Sequence, residues 1–262
     1  IPVMMGYYVW NLQQTNFPEV KPELFAKLQE KYGDYLGQMT IGLAGEGSDC
    51  FGFDDVYSRD HDWGPGFCIW LEDELFEQIG EALRADYEKL PKEWKGYQRL
   101  HLRDQKRITV HKISDWFRHF IGETAFEEWR RTGKISSELM LAIPSYKLAA
   151  VLNGRVFQDV EDSTFTKLRD YLMDYYETSD LCLLLAEHVA RFSQNAQYNY
   201  SRMKQRGEAV SASLLLHEGM KEALKLGYLL NRRYAPHDKW LLEGAKSFEI
   251  LPDLTEKITR IL

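Results

Sequence analysis

The sequence predicts an α+β fold, in which a small mixed sheet with flanking helices is followed by an all-helical bundle. Three short apolar or β-branched runs predict strands: 39–44, 67–71 and 108–113. From about Thr124 onward, apolar residues recur at three- and four-residue steps, which is typical of packed helices. We therefore expect a sheet-containing domain over residues 1–130 and a helical C-terminal domain over residues 131–262, with no flexible linker between them.

The composition is that of an ordinary globular protein, with 262 residues of which 44% are hydrophobic and 28% charged. A net charge of −7 at pH 7 disfavours a nucleic-acid partner, because neutralising phosphates requires clustered Lys and Arg. No apolar run approaches the roughly 20 residues that span a bilayer, and no secretory signal is recognisable. Three widely spaced cysteines suit a reducing compartment. We expect a cytoplasmic protein with no membrane partner.

The first chemical motif is a Gly-Ser pair, Gly47-Ser48, which follows the first predicted strand. Glycine lets the backbone approach a ligand closely, and N–H groups at a turn or helix start form a nest for anions. The hydroxyl of Ser48 adds a further donor. Such a turn suits the β- and γ-phosphates of a nucleotide. Asp54 and Asp55, shortly after it, are more typical of turn formers or helix caps than of metal ligands.

The second motif is the pair Asp60 and Asp62, and eleven residues separate Asp60 from Ser48. On an extended strand, positions i and i+2 point to the same face, so the two carboxylates converge. Convergent carboxylates are stabilised by a cation between them, and hard oxygen ligands favour Mg²⁺. We expect two Mg²⁺ ions bridging a triphosphate. The competing interpretation is a glycine turn followed by a solvated acidic loop.

At these residues the chain resembles the DNA-polymerase-β-like nucleotidyltransferase superfamily, whose pattern is a strand, Gly-Ser, a short spacer and Asp-x-Asp. The string GSDCFGFDDVYSRDHDWG is similar to that of an uncharacterised bacterial group with a helical C-terminal domain, and residues 153–157, 197–199 and 239–240 look similar too. The resemblance implies that the sheet domain is a nucleotidyltransferase core. It also implies that Gly47 and Ser48 bind the triphosphate and that Asp60 and Asp62 bind the metal.

A third carboxylate, which the superfamily usually places on a later strand, is absent from the strand predicted over 108–113. Asp115, just past that strand, is the best candidate for the third metal ligand or base, and His111 is a poorer one. A helix cap is an equally good interpretation of Asp115. Lys239 is a candidate nucleotide-binding residue, because the triphosphate needs positive charge. A surface salt bridge explains Lys239 equally simply.

Together these features predict a magnesium-dependent nucleotidyltransferase, which moves a nucleoside monophosphate from an NTP to a hydroxyl of a small-molecule acceptor. The preference for a small acceptor rests on the acidic charge of the chain and on analogy with antibiotic-modifying relatives. Two alternatives stay open. One is nucleotide addition to RNA or protein, and the other is a non-catalytic nucleotide-binding protein, which the uncertain third acid favours.

Overall fold

A computed structural model describes residues 30–55, 57–58, 66–90, 93–94, 97–98 and 108–261. The strands are β1 (Thr40–Leu43), β2 (Cys68–Leu71), β3 (Glu93–Trp94), β4 (Tyr97–Gln98), β5 (Val110–Lys112) and β6 (Arg155–Gln158). The helices of the first part are the short α1 (Ser48–Phe51), α2 (Asp73–Leu75, continuing as the π-helical Phe76–Gly80 and the α-helical Glu81–Glu88), α3 (Ile113–Ile121) and α4 (Glu123–Thr132).

The later helices complete the chain. They are α5 (Ser137–Ala142), α6 (Ser145–Leu152), α7 (Thr164–Met173), α8 (Thr178–Phe192, continuing as the π-helical Ser193–Asn199 and the α-helical Tyr200–Gln205), α9 (Ala209–Leu230), α10 (Leu241–Ala245) and α11 (Leu254–Ile261). Short 3-10 helices lie at Gly33–Gln38 and Asp238–Trp240. None of the helices in these ranges is both long and apolar enough to cross a membrane.

The main sheet has four strands in the order β5-β2-β1-β6. Strand β1 pairs antiparallel with both β2 and β6, while β2 pairs parallel with β5, so the sheet is mixed. All three strands predicted from the sequence are confirmed, and so is the α+β fold class. Strands β1 and β2 are buried along their whole length, which explains why they appear in the sequence as continuous apolar runs instead of alternating ones.

Strand β6 corrects the expectation that the chain is helical throughout beyond Thr124. Arg155–Gln158 joins the free edge of β1, with Ile41 opposite Gln158 and Leu43 opposite Arg155. The close approach of β6 to β1 depends on Gly42, where a Cβ would lie 2.6 Å from the Arg155 carbonyl oxygen. The sequence pattern did not predict this strand, because it is short, polar at both ends and bounded by helices on either side.

The described residues form two compact units. One comprises the residues up to Ile135 together with Ala150–Met173, and the other comprises Ser136–Ala149 together with Asp174–Leu262. The division of the chain into domains 1–130 and 131–262 stays a prediction. What the structure adds is that a stretch beyond residue 130 completes the sheet of the first unit.

The second unit is built on α8 and α9, which pack along each other. The packing is tight at Gly219 of α9, where a Cβ would lie 2.5 Å from the Cβ of Ala196 in the π-helical turn of α8. Helices α10 and α11 pack against the end of α9. The core there contains Tyr228, Leu241, Phe248 and Ile258. The prediction of a helical C-terminal region is thus confirmed for this unit.

Candidate functional site

The predicted Gly-Ser turn, residues 45–48, leads from the end of β1 into α1. Gly45 has a φ of 128°, a conformation that side chains rarely adopt. Gly47 is extended, with φ −76° and ψ 149°, and it stands as the N-cap of α1, so that Ser48 is the first helical residue. The first N–H groups of a helix have no partner inside the helix, and they carry its positive dipole end. The strand, the turn and the helix start therefore lie in the order that phosphate binding needs.

The turn is held from the side by Asn153. The N–H of Gly45 donates to Asn153 Oδ1 at 2.9 Å, and Asn153 Nδ2 donates back to the Gly45 carbonyl at 2.6 Å. Asn153 is fixed in turn by Arg169, whose guanidinium donates to the carbonyls of residues 151–153 at the end of α6. Sequence reasoning did not predict a contact between Asn153 and the Gly-Ser turn. In the structure the Asn153 amide is the brace of this turn.

Ser48 has a specific partner, because its hydroxyl donates to Asp54 Oδ1 at 2.7 Å. The neighbouring Asp55 forms the expected turn, accepting from the N–H groups of Tyr57 and Ser58 at 2.8 and 3.0 Å. These backbone donors lower the pKa of the Asp55 carboxyl. The turn-forming interpretation is thus confirmed for Asp55. Asp54 instead brings a carboxylate to the hydroxyl that is expected to face phosphate, which sequence reasoning missed.

The predicted metal ligands Asp60 and Asp62 lie outside the described residues, together with His61 between them. Within the described ranges, no group of three or more His, Cys, Asp or Glu side chains is arranged to hold a metal ion. The described part of the predicted site is therefore the Gly-Ser turn. Phosphate binding by this turn and the assignment of Asp60 and Asp62 to Mg²⁺ both stay predictions.

Asp115 lies in the first turn of α3 and not in a strand. Its side chain is 71% exposed and sits 3.6 Å from Arg118 Nη1. The N-cap residue of α3 is Lys112, and the N–H of Ser114 donates to Asp73 Oδ1 at 3.3 Å, so Asp115 does not cap the helix. The cap interpretation is wrong, because α3 starts three residues earlier than that interpretation required.

The sheet register tells where Asp115 lies relative to the Gly-Ser turn. Lys112, the last residue of β5, is opposite Leu71, at the edge where β1 begins and not where it ends. Helix α3 then runs back, and His119 Nε2 comes within 3.8 Å of Glu46 Oε1 beside the turn. With a rise of about 1.5 Å per residue, Asp115 lies about 6 Å before His119 along α3, nearer the start of the helix.

Two other predicted residues are placed by the structure. His111 is partly buried and packs against aromatic rings, with its centroid 6.5 Å from Trp70 and 4.9 Å from Trp116. Lys239 belongs to the second unit, in the 3-10 helix Asp238–Trp240, with its Nζ 4.3 Å from the centroid of the Trp240 ring. This cation–π contact is by itself a sufficient structural explanation for Lys239. Binding of a nucleotide by Lys239 stays a prediction.

The protein has an α+β fold. Its first unit contains a strand, a Gly-Ser turn and a short helix in succession, and its second unit is helical. The comparisons with known proteins add one finding: residues 140–241 match the family model described as "Domain of unknown function (DUF4037)". No curated protein and no solved structure matches the chain. The matched stretch starts at the end of α5 and ends at the first residue of α10.

Proposed function

We propose that this protein is a magnesium-dependent nucleotidyltransferase, which transfers a nucleoside monophosphate from an NTP to a hydroxyl of a small-molecule acceptor. The proposal assigns the protein to the DNA-polymerase-β-like superfamily on the residues Gly47, Ser48, Asp60 and Asp62. The observation that carries it is the braced Gly-Ser turn, which delivers Ser48 to the first position of a helix directly after a buried strand.

The phosphate half of the site rests on backbone geometry. The extended Gly47 leaves the approach to the helix start free of a side chain, and N–H groups at the start of a helical turn can donate to an anion. A bound triphosphate would take the Ser48 hydroxyl from Asp54, its present acceptor. Because the Asp54 carboxylate would repel bare phosphate, the proposal requires a cation with the nucleotide.

The metal half rests on Asp60 and Asp62. These two carboxylates would hold Mg²⁺, whose charge would reduce the negative charge that opposes attack on the triphosphate. The acceptor oxygen forms a bond to the α-phosphorus, the bond to the bridging oxygen of the β-phosphate breaks, and pyrophosphate leaves. The proton of the acceptor hydroxyl has to pass to a base.

Asp115 is poorly suited to be that base, because its side chain is exposed and paired with Arg118. The parallel pairing of β2 and β5 brings the start of β5, at Val110, to the side where β1 ends. An acid preceding β5 therefore fits the proposal better than one following it. The nearest acid before β5 in the sequence is Asp104, which lies outside the described residues.

The position of Asp115 also favours a second candidate function, a nucleotide-binding protein that does not catalyse transfer. Without a group that takes the proton, the same turn and metal pair would hold an NTP and leave it intact. Both candidates share the nucleotide site, and they differ in whether pyrophosphate is released.

The nucleotide site is tested by calorimetric titration of the four NTPs with Mg²⁺. We expect one or more to bind, the double variant Asp60→Ala, Asp62→Ala to lose binding, and Ser48→Ala to weaken it roughly fivefold, the value of one hydrogen bond. Asp34→Ala, which removes an exposed acid of the same unit, is the matched control and should bind as the parent does. Absence of binding by all four NTPs would overturn both candidate functions.

Turnover separates the two candidates. Pyrophosphate release is measured with pooled small-molecule alcohols and, separately, with tRNA. Release with the small molecules supports the proposal, and release with tRNA alone moves the activity to polynucleotide acceptors. Binding without any release supports the non-catalytic protein. Asp104→Asn and Asp115→Asn then locate the base, and we expect the former to abolish release and the latter to leave it nearly unchanged.

A further inference from the structure

The second unit contains a half-open cavity of about 500 Å³ that the proposed reaction does not use. It is bounded by residues 141–146, by one face each of α8 and α9, and by residues 233–238. All seventeen lining residues belong to the second unit, and all lie within the stretch 140–241 that the family model matches. The volume is in the range of pockets that hold a small organic ligand.

The walls of the cavity are rich in rings. Five of the seventeen lining residues are Tyr or His: Tyr146, Tyr176, His188, Tyr228 and His237. Tyr146 and His237 stack with their centroids 4.1 Å apart and their planes 28° apart, which forms a flat double layer. Aromatic rings bind other rings by offset stacking or edge contacts, so this lining favours a planar ligand over a flexible aliphatic one.

The cavity also contains a cation without a carboxylate partner. Arg233 Nη1 donates to the Gly244 carbonyl at 3.3 Å and to Ser247 Oγ at 2.9 Å, and no carboxylate among the described residues pairs with this guanidinium. The lining acid Asp238 is neutralised by Lys221 at 3.2 Å. An Arg held in place by neutral groups is ready to bind an anion through its remaining N–H groups.

Neutral donors and a fixed imidazole complete the lining. Burial raises the pKa of Tyr176 and of Tyr228 to about 12, so both phenols keep their protons at neutral pH. Tyr228 donates to the Leu241 carbonyl at 3.1 Å, while the structure gives the Tyr176 hydroxyl no acceptor among the residues it describes. His188 is held through Nδ1 by the buried Glu222 at 2.5 Å, which leaves Nε2 as its ligand-binding nitrogen.

We propose that this cavity is a binding site for a small aromatic anion, whose ring lies among the tyrosines and whose anionic group is held by Arg233. The inference does not depend on the nucleotidyltransferase proposal, because every residue in it belongs to the second unit. The anionic group is a carboxylate or a phosphate ester, and both are bound by the same guanidinium chemistry.

The test is calorimetric titration of the full chain with four probes. 1-Naphthylacetate and 1-naphthyl phosphate carry the ring and the charge, 1-naphthylacetamide carries the ring alone, and cyclohexylacetate carries the charge on a saturated ring. We expect at least one naphthyl anion to bind at least roughly tenfold more tightly than either of the last two. The acetamide lacks the charged hydrogen bond, which contributes about 1.5 kcal/mol or more, and cyclohexylacetate lacks the aromatic contacts and the larger apolar surface. The preferred anion identifies the ligand as a carboxylate or a phosphate ester. Equal binding of all four probes, or binding of none, would overturn the proposal.

Two variants locate the site. Arg233→Gln should weaken binding of the naphthyl anion roughly tenfold, whereas Arg191→Gln, on the exposed side of α8 and paired with Glu187, should not change it. Because Arg233 also supports residues 244–247, Leu184→Trp provides an independent variant that fills the cavity and should abolish binding. Thermal unfolding of each variant confirms that it is folded. Full affinity in folded Leu184→Trp would place the ligand elsewhere and refute the assignment.

Discussion

The Gly-Ser turn of the first unit and the cavity of the second unit are encoded in different ways. The turn occupies four consecutive residues, 45–48, and a short motif is enough to recognise it. The walls of the cavity are drawn from residues spread between 141 and 238, and no two neighbouring residues among them form a motif. A site built from backbone geometry is therefore visible in a sequence, whereas a site built from scattered side chains becomes visible only after the helices are packed.

The two regions also differ in what holds them. The turn is fixed by glycines at close backbone approaches and by one amide that bonds both backbone groups of Gly45. The cavity is fixed by side chains, chiefly the pair His188 and Glu222 between α8 and α9. We therefore expect single substitutions to lower the free energy of unfolding more at the turn than at the cavity.

The largest effect is expected at Gly154, which follows the brace residue. It has a φ of 67°, and a Cβ there would lie 1.9 Å from the carbonyl oxygen of Leu43 at the end of β1. Gly154→Ala should lower the free energy of unfolding by about 3 kcal/mol or more, because backbone strain and a backbone clash add. Chemical denaturation measured by circular dichroism checks this.

Gly133 offers a matched control for that variant. Its φ is 74°, yet a Cβ would meet nothing within 4 Å. Gly133→Ala therefore reports the backbone strain alone and should lower the free energy of unfolding by about 1 kcal/mol. If the two alanine variants were equally stable, the close approach of residue 154 to β1 would not be what holds the turn.

An intermediate effect is expected at Asn153. Asn153→Ala leaves the N–H and the carbonyl of the buried Gly45 without their partner, which should cost about 2 to 3 kcal/mol and weaken NTP binding at the same time. Asn195→Ala, on the π-helical turn of α8, is the control and should change stability by no more than about 0.5 kcal/mol. Lost stability with unchanged NTP affinity would separate the brace from the proposed nucleotide site.

The sequence predicted the first unit well where local patterns decide structure. The apolar runs that became β1 and β2, and the glycines of the Gly-Ser turn, depend on neighbours in the chain. It failed at β6, because the pairing of Arg155–Gln158 with β1 joins residues more than a hundred positions apart. Asn153 belongs to the same long-range contact, so its role as a brace could not be inferred from its neighbours.

The predicted site divides in the same way. Gly47 and Ser48 were predicted from a local motif, and the structure places them at a helix start, while their binding of phosphate stays a prediction. Asp115 was chosen for its nearness to β5 in the chain, and only the strand order reveals that the end of β5 lies away from the Gly-Ser turn. Tyr176, His188 and Arg233 gave no signal at all, because Tyr, His and Arg at such distances are ordinary in helical bundles.

The smallest effect is expected in the cavity wall, at Glu222. Glu222→Gln keeps the shape of the side chain and removes the charge that faces His188 at 2.5 Å and Lys225 at 3.7 Å. This substitution should lower the free energy of unfolding by about 1 to 2 kcal/mol, because a charged hydrogen bond at a partly buried position becomes a neutral one. Thermal unfolding of Glu222→Gln and of Glu218→Gln measures the difference.

Glu218 is exposed and pairs with Lys221 at 3.3 Å, so its charge should contribute less than about 0.5 kcal/mol. If Glu222→Gln were as harmless as Glu218→Gln, the cavity would owe its form to apolar packing alone, and the contrast with the Gly-Ser turn would lie in sequence spacing and not in polar contacts.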